Sequence, residues 1–144
     1  MRVTRHAVLF FSSVLFVACA NGPGKAMDLS GTKWHLATAD AGALAKLAPT
    51  SGVTLEFTAD RVNGYGGCNS YSGPYTLSAG TLTVGPVAAT KRGCMDAAGA
   101  IESAWFDTLA SKLTVTQDAD GLQLRAADGA KLRFASGPAP GPKP

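Results

Sequence analysis

"GYGGCNSYSG", residues 64–73, sets four glycines around Cys68 and Asn69. Such a stretch serves one of three chemistries: a phosphate cradle, a nucleophilic thiol, or a turn stapled by a disulfide. A dinucleotide loop needs glycines at its first, third and sixth positions. Counting from Gly64, the third residue is Gly66 but the sixth is Asn69. No Gly-Lys-Ser/Thr is present, and no helical pattern follows at once to offer its N-terminus to an anion. A nucleophilic Cys68 needs a base, and beyond the first residues the chain has one histidine, His35. His35 directly follows Trp34 in an apparent strand, so the two side chains point to opposite faces. Metal chemistry fares no better, because Cys68, Cys94 and His35 lack paired ligand spacing. Neither a metal nor a cofactor is expected.

The chain ends bear on the sulfur question. Arg2 and Arg5 precede an apolar run from Ala7 to Ala18, interrupted by Ser12 and Ser13. That run is too short to cross roughly 30 Å of hydrocarbon as a helix, and it reads as a secretory signal over residues 1–18. "LFVAC", residues 15–19, resembles a bacterial lipobox, with Phe16 where an aliphatic residue is usual. Cys19 is then the lipidated first residue, and ordinary cleavage after Ala20 is the alternative. Residues 19–27 read as a tether and 136–144, with four prolines and two glycines, as a disordered tail. Export leaves Cys68 and Cys94 as an even pair in a disulfide-forming compartment. Closing that loop of about 27 residues is worth roughly 3.5 kcal/mol in the chain-entropy model. The glycines then supply positive φ and close approach, and Asn69 bonds its own backbone in the turn.

Charge excludes one function class. Without Arg2 and Arg5 the 13 basic residues fall to 11 against 10 acidic, a formal charge of +1. The cations are scattered singly, so no nucleic-acid face is formed.

Residues 28–135 read as one α+β domain. Val53, Leu55 and Phe57 alternate with Thr54, Glu56 and Thr58, as a half-buried strand requires. Further strands are expected at 33–38, 75–77, 81–84, 113–116, 122–125 and 131–134. Ala79-Gly80, Asp120-Gly121 and Asp128-Gly129 mark hairpins between them. Between Asp96 and Lys112, Ile101, Trp105 and Leu109 recur at helical spacing, with Asp96 placed as the N-cap. Residues 39–48 read as a short helical turn or a loop. The expected architecture is a curved antiparallel meander, or a small barrel, with one amphipathic helix packed on it.

"FT…RVNG…GCNSYSGPY", within residues 57–75, resembles the core motif of the META-domain family, whose members include HslJ-like heat-shock proteins. Trp34, Thr90, Cys94, Glu102, Leu109 and the stretch from Gly121 to Phe134 also fall where the family pattern places such residues. The motif positions carried over are Gly64, Gly67, Asn69, Gly73, Tyr75 and Thr90. Lys91-Arg92-Gly93 departs from the pattern before the second cysteine. The resemblance implies an exported or membrane-tethered protein, associated in the family with heat stress, novobiocin resistance or parasite virulence. It implies no shared catalytic residue and no cofactor.

Together these readings point to a non-enzymatic, lipid-anchored envelope protein that acts in stress tolerance by binding an envelope component. Its expected place is the outer membrane, facing the periplasm, with a soluble periplasmic or secreted form as the alternative. A small-ligand carrier and a thiol enzyme using Cys68 are the competing functions. Glu102 reads as a solvated or capping carboxylate on its helix.

Overall fold

The structure is a computed structural model. It describes residues 26–40, 42–45 and 52–138. The expected secretory signal, Cys19, most of the expected tether and the residues from Ala139 onward lie outside these residues.

Nine strands form one antiparallel sheet: β1 (Lys33–Ala39), β2 (Thr54–Phe57), β3 (Arg61–Tyr65), β4 (Ser70–Ser78), β5 (Thr81–Val84), β6 (Ala88–Ala89), β7 (Leu113–Asp118), β8 (Gly121–Arg125) and β9 (Lys131–Ser136). Two helices interrupt them, the single turn α1 (Gly42–Ala45) and α2 (Ala97–Ala110). Eight strands close into a barrel in the order β1, β2, β3, β4, β5, β7, β8, β9 and back to β1. The seam between β9 and β1 runs from Trp34 opposite Ser136 to Ala39 opposite Leu132. The small-barrel form of the expectation is therefore the one that fits, and a curved meander describes the sheet only in part. Closure leaves neither the first nor the last strand with a free edge, and α2 with β6 breaks the succession between β5 and β7. β6 lies in line with β5 along β4. Gly73 and Pro74 face the three residues Gly85–Val87 there, a one-residue bulge.

Most wall strands turn two bulky residues inward, among them Leu55 and Phe57 on β2, Leu122 and Leu124 on β8, and Leu132 and Phe134 on β9, while β3 turns in Val62 alone. An eight-stranded barrel is just wide enough for side chains to fill it. The last piece of filling comes from α2. Trp105, fully buried, has its ring centroid 6.4 Å from Tyr71 on β4 and 5.7 Å from Phe134 on β9. Those strands stand four apart in either direction around the ring. The indole therefore spans the interior between opposite walls, and α2 is a plug at one end. Asp96 caps it as expected, its carboxylate accepting the Ala98 N–H at 3.0 Å, and the helix ends at Ala110 with Ser111 as C-cap.

The alternating strand directions sort the connections. Tight turns at 58–60, 79–80 and 119–120 lie at one end, together with the approach to β1 and the exit from β9. The segment carrying α1, the turn 66–69, α2 and the loop 126–130 lie at the other. Two boundaries differ from expectation. Ser136 belongs to β9, and Gly137 N–H donates to Lys33 O at 2.8 Å, so the domain runs past Ala135. Within the stretch 64–73, read as a turn because of its glycines, residues 64–65 and 70–73 are strand, parts of β3 and β4. No helix among the described residues is long and apolar enough to cross a membrane.

The β4–β5 hairpin has both turn residues at positive φ, Ala79 at 48° and Gly80 at 74°. Glycine adopts that region freely, whereas an alanine Cβ is strained there by about 1 kcal/mol. Ala79→Asn should raise the thermal midpoint by roughly 2–4 °C, read by calorimetry, because asparagine tolerates this conformation.

Candidate functional site

The glycine-rich stretch builds the plugged end. Gly64 on β3 pairs directly with Tyr71 on β4. The Tyr71 hydroxyl passes over it to donate to Thr54 O at 2.8 Å. A Cβ at Gly64 would strike that carbonyl and the hydroxyl together. Gly67, at φ +106°, lies under α2, where a Cβ would come within 2.6 Å of Ile101 Cγ2. These two positions need glycine, one for a crossing side chain and one for a turn beneath a helix.

Gly66 N–H donates to Asn69 O at 2.8 Å and closes the turn. The return bond is diverted: Asn69 N–H donates to Glu102 Oε2 at 2.5 Å. The Asn69 side chain, 4% exposed, then gathers its surroundings. Its Nδ2 donates to Glu102 Oε1 at 2.9 Å and to Arg92 O at 3.2 Å, and approaches Cys68 Sγ at 3.3 Å. Its Oδ1 accepts from Thr90 Oγ1 at 2.9 Å and from Arg92 N at 2.7 Å. Thr90 in turn accepts Ser70 N–H at its hydroxyl and donates its own N–H to Ser70 O. Asn69 thus bonds other segments rather than its own turn, and it satisfies both backbone groups of Arg92 as a neighbouring strand would.

The sulfur pair completes this knot. Cys68 and Cys94 are disulfide-bonded, with Cα atoms 6.3 Å apart, inside the range such a bridge spans. Cys68 is buried, whereas Cys94 is partly exposed beside an open cleft of about 560 Å³ lined also by Tyr65, Arg92, Met95 and Asp96. Met95 is fully exposed.

The remaining motif residues hold the walls. Tyr75 donates to Thr58 O at 3.0 Å and meets Phe57 edge-on at 5.1 Å. Gly73 leaves room for Val87 at the bulge. His35 does not join the site, since its Nδ1 lies 3.3 Å from Gly137 O on the far side of β1 from Trp34. With Cys68 bonded to Cys94, the thiol-enzyme reading loses its nucleophile. Among the described residues no group of three or more metal-capable side chains comes together. The carrier reading needs a cavity; among the described residues the barrel interior is occupied by Trp105 and the wall residues.

Glu102 was placed by the family pattern, but its role was misread from the sequence. It is neither solvated nor a helix cap but a two-pronged acceptor binding the turn to α2. Its spacing beside Ile101 was the available signal. One turn of helix places it next to the buried stripe rather than opposite.

The META domain family profile matches residues 27–138. The chain belongs to the META domain family. Among solved structures, it is similar to a protein from Burkholderia xenovorans determined by NMR, with a TM-score of 0.61, 26% identity, and 76% of this chain and 83% of that one covered. A DUF4847 family protein from Bacteroides vulgatus, 13% identical with a TM-score of 0.56 over 74% of this chain and 93% of that one, shares the fold. No curated protein matches the sequence.

Removing the Glu102 carboxylate would strand the Asn69 N–H and one amide hydrogen away from water. Glu102→Ala should cost about 2–3 kcal/mol in urea unfolding with the disulfide still formed.

Tyr71 supplies a pH test. Burial pushes its phenol far above the usual range, and the unpartnered Trp105 N–H close by offsets only part of that rise. A raised folded-state value means full stability below the unfolded value near 10 and loss above it, at about 1.4 kcal/mol per pH unit. Between about pH 10 and 11.5 the wild type should lose stability more steeply than Tyr71→Phe in parallel denaturant titrations.

Proposed function

We propose that this META-domain protein is a non-enzymatic, exported component of the cell envelope. Lipid on Cys19 holds it at the outer membrane facing the periplasm, and it acts in stress tolerance by binding an envelope component. The observation that carries this reading is how the motif's reactive groups are used. Cys68 is bonded to Cys94, while Asn69 and Glu102 are bonded to each other and to backbone. Side chains used in this way support a framework that presents a surface. The disulfide itself favours an oxidising compartment over the cytosol.

The placing of the chain ends favours the same reading. The approach to β1 and the exit from β9 lie at the short-turn end. A tether joined there directs the plugged end, with Lys91, Arg92 and Met95 exposed, away from the membrane that holds it.

Radiolabelled palmitate fed to cells should enter the wild type and not Cys19→Ala. A strain lacking the protein should be more sensitive to heat or novobiocin, and recover with the wild type but not with the unlipidated variant. Absence of label on the wild type would leave a soluble protein. Equal rescue by both forms would remove the membrane from the function.

A further inference from the structure

We propose that the Cys68–Cys94 bond is a site of thiol–disulfide exchange in which Cys94 receives the incoming thiolate and Cys68 leaves. The two sulfurs sit in different surroundings. Cys68 is 2% exposed, beneath the turn that Asn69 and Glu102 hold against α2. Cys94 is partly exposed on the open side of the cleft, between Gly93 and the fully exposed Met95. A thiolate attacks along the axis of the bond from the far side of the sulfur it joins, so access decides which one is taken. Both cysteines line the cleft, but Cys68 is 2% exposed and Cys94 partly exposed, so Cys94 is the more accessible of the two.

The leaving side is prepared as well. Asn69 Nδ2 lies 3.3 Å from Cys68 Sγ, close enough to share one of its two hydrogens with that sulfur, and the contact strengthens as charge gathers there. The incoming thiolate forms a new S–S bond to Cys94, the Cys68–Cys94 bond breaks, and Cys68 keeps the electron pair as a thiolate. When the donor is a dithiol, its second thiolate attacks the donor's own sulfur and releases Cys94. The donor then becomes a disulfide, two electrons have passed to this protein, and both of its cysteines take up protons. The partner class is therefore a thiolate donor of the same compartment, either a protein with a dithiol pair or a small thiol. Thr90 and Arg92 stay bonded to Asn69 throughout. Exchange accordingly frees the Gly93–Met95 loop and leaves the barrel closed. None of this requires lipid on Cys19, so the exchange site and the envelope reading stand or fall separately.

The oxidised full chain would be mixed briefly with reduced glutathione in one arm. In the other it would meet a dithiol oxidoreductase whose second cysteine is replaced by serine. Both would be quenched with N-ethylmaleimide. Trypsin cleaves after Arg61, Lys91 and Arg92 and so separates the two cysteines for mass spectrometry. The mixed disulfide should favour Cys94 over Cys68 by about ten-fold in both arms. The same preference with glutathione alone keeps the site and names a small thiol as its donor. Equal shares, an excess on Cys68, or adducts that form only after denaturant is added would overturn the proposal.

Discussion

The primary amide of Asn69 is the constraint on which the plugged end of the barrel rests. It lies buried and touches three separate pieces of chain: its own turn, the Thr90–Arg92 segment and α2 through Glu102. Inside a protein an amide without partners costs several times what a satisfied one contributes, so each of these contacts enforces the others. The arrangement is all or none. If α2 moves, Glu102 leaves two donors of Asn69 unmet; if the Thr90–Arg92 segment moves, the Asn69 oxygen loses both donors. The disulfide adds a covalent limit on how far those two segments separate, but the amide fixes their register.

That register has a consequence inside the barrel. Trp105 follows Glu102 by three residues, so seating the carboxylate on the turn also fixes where the indole enters. The ring then reaches both walls, Tyr71 on one side and Phe134 on the other. Losing a side chain of this size from a filled interior typically costs 3–5 kcal/mol. The glycines belong to the same arrangement, because Gly66 and Gly67 keep the turn thin enough for α2 to lie directly on it, with Phe106 and Ile101 as the neighbours a Cβ would meet. Polar knot, thin turn and aromatic plug are one device, and its parts hold each other in place.

The elements legible in the sequence are those whose burial is periodic. Val53, Leu55 and Phe57 announce a strand, and Ile101, Trp105 and Leu109 a helix, because one face of each meets a single core. The cysteine pairing was readable for a different reason, since the expected export with Cys19 lipidated would leave two sulfurs and one way to join them. Strands β3 and the first half of β4 were hidden by their glycines, which propensity assigns to turns. In the structure Gly64 is required by a side chain crossing from the opposite strand, a tertiary fact that no local window contains. Closure of the ring was undetermined for a similar reason, because the pairing of β1 with β9 joins positions about a hundred residues apart. Glu102 was misjudged from its residue type, as a carboxylate on an amphipathic helix is solvated unless a backbone donor is brought to it. That donor is Asn69 N–H, 33 residues away in sequence.

The division of the barrel into two ends follows from strand alternation with a helix inserted at a single position. Any extension of the chain, before β1 or after β9, leaves from the end made of tight turns. The longer described connections lie at the other end: α1, the disulfide loop, α2 and the 126–130 loop. Anchoring at the first end therefore places no demand on the sequence of the second, and changes at the second do not disturb the ladder that closes the ring. The loop from Lys91 to Met95, which includes the stretch Lys91–Gly93 read as departing from the resembled pattern, sits at that second end. Its backbone is held by Asn69 and its outer side chains are exposed, so it can vary in charge and shape while the fold beneath it stays fixed.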